Sequence, residues 1–199
     1  MRAIVLAAAA FALAGTAYAA PAPAERTVPG TRLHIAVPAG WRLIDHATAI
    51  ALTRRVGALN PQTAAIVSTL AQTGSSIRLV ALDPSSRGGF ATNANVVVER
   101  APAVSVAGAV ALELSVVRQV LHPIDVRQTA MQAAGRPAVT VTYEARFNEP
   151  TGPTLVAQEQ VYFISAGKLY VLTLTTLPSR RAFYAATFAR IVGSLTFAQ

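Results

Sequence analysis

The sequence predicts an α+β domain: a mainly antiparallel β-sheet with helices packed on its faces, in one unit. Three observations carry this. Several segments alternate apolar and polar residues with a period of two and follow one another at hairpin spacing. Three segments instead repeat apolar residues every three or four positions, as a helix with one buried face does. One strand, Leu169 to Thr175, is apolar on both sides, so something must cover each face of its sheet.

In chain order, residues 1–20, MRAIVLAAAAFALAGTAYAA, have the anatomy of an export signal. Arg2 gives the positive start, Ala3 to Ala14 the apolar run, and Ala17-Tyr18-Ala19 a small-x-small cleavage site. Cleavage after Ala19 leaves Ala20 to Gln199 outside the cytoplasm, periplasmic or secreted. The competing reading is an uncleaved anchor, because Ala3 to Ala24 is uncharged over 22 residues. A spanning helix needs about 20 predominantly apolar residues. Gly15, Thr16, Pro21 and Pro23 break the second half of that run, which favours cleavage.

Residues 20–30 read as a Pro/Ala-rich extended tether without an apolar period, and the folded domain spans 31–199. Leu33, Ile35 and Val37 alternate with polar or small residues as a half-buried strand, and Pro38-Ala39-Gly40 makes a turn. Trp41 to Ile44 is expected to return and pair with that first strand. Asn60-Pro61 opens a helix that Gly74 stops, with an earlier helical turn or two over Asp45 to Leu59. Ser76 to Asp83 and Asn93 to Ala101 are strands joined through the turn-prone 84–89 segment. Ser105 caps a helix whose Val106, Val110, Leu114, Val117 and Leu121 form one apolar stripe, with Glu113 expected elsewhere; Pro123 ends it.

Ile124 to Gln132 and the alternating Val139 to Phe147 are the next two strands. Leu155 to Ile164 and Leu169 to Thr175 form a hairpin about Ser165-Ala166-Gly167-Lys168. Pro178-Ser179 then opens a final helix that presents Tyr184, Phe188, Ile191, Val192 and Leu195 to the sheet. No internal repeat and no second-domain linker interrupts this order.

Three of these segments resemble one superfamily in the order in which they occur. LHIAVPAGW (33–41) is similar to its opening strand, Pro, Gly-Trp entry. FATNANVVVER (90–100) is similar to its central strand, and GKLYVLTLTTLPSRRAFYAATFARIVGSLTF (167–197) to its closing strand, loop and helix. The superfamily is that of the photosystem II extrinsic protein PsbP, the bacterial DcrB proteins and the LpqN-like lipoproteins. The resemblance implies the α+β fold over most of 31–197 and an exported, non-enzymatic accessory or binding role in the cell envelope, through a protein or polymer partner. LpqN-like members carry a lipid-anchoring cysteine that this chain lacks, so their tethered mode does not transfer. The matching positions are fold determinants, and no functional residue carries over.

Composition narrows the chemistry. The chain has no cysteine, so disulfides, thiolate metal sites and cysteine nucleophiles are excluded. The formal charge is +8, almost all of the cations are arginine, and the only adjacent pairs are Arg54-Arg55 and Arg180-Arg181. This dispersal, without interleaved stacking aromatics, argues against nucleic acid and leaves a weak attraction to anionic surfaces.

No G-x-S-x-G elbow is present. His34, His46 and His122 lack the three or four converging ligands that zinc needs, and the nine acidic residues are too dispersed for a calcium loop. Arg87-Gly88-Gly89 leads into a strand, the wrong context for a phosphate loop. The sequence therefore assigns no catalytic, cofactor or metal residue.

Four positions stand out as binding candidates. Trp41 and Tyr143 would line a pocket between sheet and helix, against the simpler reading of core packing. Arg180 and Arg181 open the last helix, where the helix dipole favours acids, and would mark an anion-facing patch. The alternatives to an accessory role are an envelope hydrolase whose residues meet only in the fold, and a small-ligand carrier.

Overall fold

The computed structural model describes residues 23–44, 77–85, 90–101, 105–149 and 152–198. The helices expected over 45–59 and 60–74, His46, and the signal-peptide region 1–20 lie outside these residues, as do 86–89 of the turn.

Among the described residues, ten strands and two α-helices follow one another along the chain. They are β1 (Ala24–Thr27), β2 (Leu33–Val37), β3 (Arg42–Ile44), β4 (Ile77–Leu82), β5 (Asn93–Arg100), α1 (Val106–Leu121), β6 (Ile124–Ala133), β7 (Arg136–Glu149), β8 (Gly152–Ser165), β9 (Lys168–Thr176), a 3-10 turn at Pro178–Arg180, α2 (Arg181–Gly193) and β10 (Thr196–Phe197). Seven strands form one antiparallel sheet in the order β3-β4-β5-β9-β8-β7-β6, and β1-β2-β10 form a smaller one. The result is the expected α+β architecture, with the small sheet as an added layer.

The two faces of the large sheet are covered differently. On one, Ala94, Val96, Phe163, Leu172 and Leu174 pack against Leu33, Ile35 and Val37 of β2 and against Tyr184, Phe188 and Ile191 of α2. On the other, Val97, Val141, Tyr162 and Val171 pack against Ala109, Val110, Leu114 and Val117 of α1. Strand β9 is buried from Leu169 to Thr176, as its two-sided apolar pattern requires.

Local chemistry explains most boundaries. Ser105 caps α1, its hydroxyl accepting from the Gly108 N–H at 3.1 Å. His122 ends the helix in the left-handed region at φ 45. The β6–β7 and β8–β9 hairpins close on two-residue turns, Ala134-Gly135 and Ala166-Gly167, with φ of 50 and 68 and of 49 and 70. Positive φ at both central residues is the type I′ turn whose twist matches paired strands.

The structure corrects three expectations. Trp41 to Ile44 does not return to β2. The Trp41 N–H donates to the Pro38 carbonyl at 3.1 Å, and Gly40 at φ 80 turns the chain onto the large sheet, where β3 pairs with β4. Within the expected tether, Ala24–Thr27 pairs with β2 as an edge strand; its Glu25, Arg26 and Thr27 are exposed, so it needs no apolar period. Glu113 lies on the buried side of α1, 3% exposed, between Val110 and Leu114, because the strands it faces are polar.

Candidate functional site

Two groups of side chains stand out on this frame, one inside and one at the surface. The inner group is a polar belt on the sheet face that packs against α1. Register sets it out in rungs. Tyr143 (β7) stands opposite Gln158 (β8), then Thr175 (β9), then Asn93 (β5). Two residues along, Val141, Gln160, Thr173 and Asn95 form the next rung. From Tyr143 and Gln158 to Asn95, every polar member of both rungs is buried.

The belt is wired by directed hydrogen bonds. The Tyr162 hydroxyl donates to Gln160 Oε1 at 2.6 Å, Gln160 Nε2 to Gln158 Oε1 at 3.4 Å, and Gln158 Nε2 to Thr175 Oγ1 at 3.3 Å. The Tyr143 hydroxyl also donates to Gln158 Oε1. Burial holds both tyrosine hydroxyls well above their ordinary pKa, and the Glu113 carboxylate raises them further. Both therefore remain neutral donors. Glu99, half-buried on β5, is pushed up to about 7 by burial. Across β9 and β5, Thr173 Oγ1 and Asn95 Oδ1 are buried without a hydrogen-bond partner. Buried polar atoms are paired as a rule, and each exception calls for an explanation.

The surface group gathers where β3, the 3-10 turn and α2 meet. The Trp41 ring meets Tyr184 edge-on with centroids 6.4 Å apart. The Arg180 guanidinium lies 4.7 Å from the Phe183 ring centroid and 5.9 Å from that of Tyr184. Tyr184 is anchored below, its hydroxyl donating to Asp83 Oδ2 at 2.6 Å. Asp83 Oδ1 accepts from both the N–H and the hydroxyl of Ser85. Phe183 itself is 71% exposed.

The four sequence candidates thus separate. Trp41 and Arg180 meet through Tyr184. Arg181 sits one residue on, where its charge lowers the pKa of Glu159, a carboxyl that burial raises. Tyr143 lies on the opposite face of the sheet, in the belt, so Trp41 and Tyr143 line no common pocket. Sequence reasoning missed Phe183, Asp83 and Glu113. A readable signal existed for Phe183: it stands one residue before Tyr184, about 100° round the helix from the start of the buried stripe, so a large aromatic had to point outward.

Of the histidines, His34 is a partly exposed residue of β2 within 3.5 Å of Glu25, and His122 caps α1. Among the described residues no three His, Asp or Glu side chains gather as metal ligands, and no helix is long and apolar enough to cross a membrane.

No protein-family profile matches the chain, and no curated protein matches it in sequence. Solved structures do. The cyanobacterial PsbP (CyanoP) of Synechocystis sp. PCC 6803 superposes with a TM-score of 0.57 at 14% identity, over 94% of this chain and 99% of that one. The fold is PsbP-like. LpqN of Mycobacterium tuberculosis, described as involved in cell envelope biogenesis, matches with a TM-score of 0.51 at 12% identity, over 84% of this chain and 83% of LpqN. PA94 of Pseudomonas aeruginosa, a protein of unknown function, matches with a TM-score of 0.52 at 16% identity, over 60% of this chain and 82% of its own. The PsbP/LpqN-like arrangement expected from the three segments is thereby found across most of the chain. At these identities the likeness is one of fold.

Proposed function

We propose that this chain is an exported, non-enzymatic accessory or binding protein of the cell envelope that acts through surface contacts. The observation that carries the reading is the Arg180–Phe183 stack. A large aromatic ring stands in solvent beneath a guanidinium, beside Tyr184, which in turn meets Trp41, on a helix whose inner side is buried in the core. Aromatic and arginine side chains of this kind dominate contact energetics. The export signal and the LpqN-like and PsbP-like folds support an envelope setting.

The test replaces Phe183 with a photo-reactive phenylalanine analogue in envelope fractions at low salt. Saturable labelling that unlabelled protein competes away is expected. Labelling no stronger than from the same analogue at Thr129, on the outer edge strand β6, would overturn the reading.

The unpartnered Thr173 Oγ1 and Asn95 Oδ1 favour a second reading, a carrier whose belt holds a small hydrogen-bonding molecule. Under the surface-contact reading Thr173→Val removes an unpaired hydroxyl and leaves stability equal or about 1 kcal/mol higher. A co-purified molecule seen by native mass spectrometry in the parent and lost in Thr173→Val would favour the carrier.

A further inference from the structure

The outward face of α2 has an unusual make-up for a helix already docked on a core. Its inward residues Tyr184, Phe188, Ile191 and Val192 are buried. Its outward residues are exposed yet mostly apolar: Ala182, Phe183, Ala185, Ala186 and Ala189, with Arg190 near the C-terminal end and Arg180 just before the helix. A helix that is apolar all round is normally covered all round. Here the second side is open.

The charge around it has one sign. No Asp or Glu occurs in residues 160–199, which hold Lys168, Arg180, Arg181 and Arg190. Among the described residues no carboxylate comes within 4.0 Å of those three arginines. Arg181, three residues before Tyr184, lies on the sheet side of the helix, where its charge acts on the half-buried Glu159.

Size decides between occupants. Thirteen residues make a helix about 20 Å long and 10 Å wide, so the face offers only about 200 Å². A stable protein partner takes about 800 Å² from each side. Alanines also give no pocket or knob for a shaped partner to grip. A lipid surface needs neither area on that scale nor shape complementarity; it needs cations at headgroup level and an aromatic ring at the interface. Arg180 lying on Phe183 puts both at one height.

We infer that the outer face of α2 docks the protein on anionic phospholipid membrane, with Phe183 at the interface and Arg180 and Arg190 on the headgroups. This rests on the surface-contact reading above and names its partner. One aromatic and two arginines give weak, reversible, salt-sensitive association.

The test is co-sedimentation of the full chain with vesicles containing phosphatidylglycerol and with vesicles of phosphatidylcholine alone. Every variant is compared with the parent, so that the shared N-terminal segment cancels. Selective binding to the anionic vesicles is expected, weakened about fivefold for each of Arg180→Gln and Arg190→Gln. Phe183→Ala should cost about tenfold. Arg190→Lys should keep the binding, and Arg118→Gln, on α1 across the sheet, should leave it unchanged. Binding equally sensitive to Arg118→Gln, or indifferent to lipid charge, would overturn the membrane inference. With the membrane inference gone, competed labelling from position 183 by a protein would still uphold the accessory reading; absence of both would remove it as well.

Discussion

Glu99 gives the sharpest thermodynamic prediction. Its carboxyl has a pKa of about 7 in the folded chain against 4.5 for the free side chain, and the cause is burial on β5. Between those values the folded state holds more of this proton than the unfolded state does. Stability from this group is therefore fully present below pH 4.5 and declines as pH rises through about 7. The shift corresponds to an upper limit of about 3 kcal/mol at 1.36 kcal/mol per pH unit. Because the side chain is only half-buried, solvent screening reduces this to about 1–2 kcal/mol.

Glu99→Gln removes the ionisation while keeping the shape. It should leave stability unchanged near pH 4 and raise it by about 1–2 kcal/mol near pH 8. For a chain of this size that is a rise of a few degrees in Tm. Urea melts of parent and variant across this range, followed by circular dichroism, measure the difference directly. Glu159, also raised by burial, contributes a slope of the same sign in both proteins and cancels in the comparison. A variant that is no more stable than the parent at pH 8, or that gains equally at both pH values, would refute the assignment of the shift to burial.

Three further predictions follow from local geometry, each read by chemical denaturation. Ser105→Ala removes the cap on the Gly108 N–H and should cost about 1 kcal/mol. Ala166→Asn places a residue suited to positive φ at the first position of a type I′ turn and should stabilise by about 0.5 kcal/mol, whereas Ala166→Val should destabilise. Tyr184→Phe withdraws a hydroxyl from the buried Asp83 and should cost about 1–3 kcal/mol, an effect that Phe183→Ala, at an exposed position, should not share.

The fold was legible where one physical rule governed a segment. The alternation at Leu33–Ile35–Val37 matches a buried, half-buried, buried sequence in β2, and the stripe from Val110 to Val117 is the buried side of α1. The two-sided apolarity of β9 announced a sheet covered on both faces. Pairings set by distant segments were not legible. Nothing in Trp41 to Ile44 says that its partner lies more than thirty residues on, in β4, with β2 held back by a second sheet.

The belt escaped for a different reason. Gln158, Gln160 and Thr175 occupy alternate positions that a period-two rule assigns to solvent, yet they are buried because they bond to one another and to Tyr143 and Tyr162. Polarity marks a solvent face only when no partner stands opposite. At the surface, the oddity of two arginines opening a helix was readable, but their relation to Trp41 depended on the β3–β4 pairing that carries Trp41 to Tyr184.

Amide hydrogen exchange of the full chain, with and without phosphatidylglycerol vesicles, tests the contact surface most directly. Slowed exchange concentrated over Arg181–Gly193, and relieved by added salt, is the predicted result. Protection confined to α1 or to the β6 edge, with α2 exchanging as it does in the free protein, would contradict it.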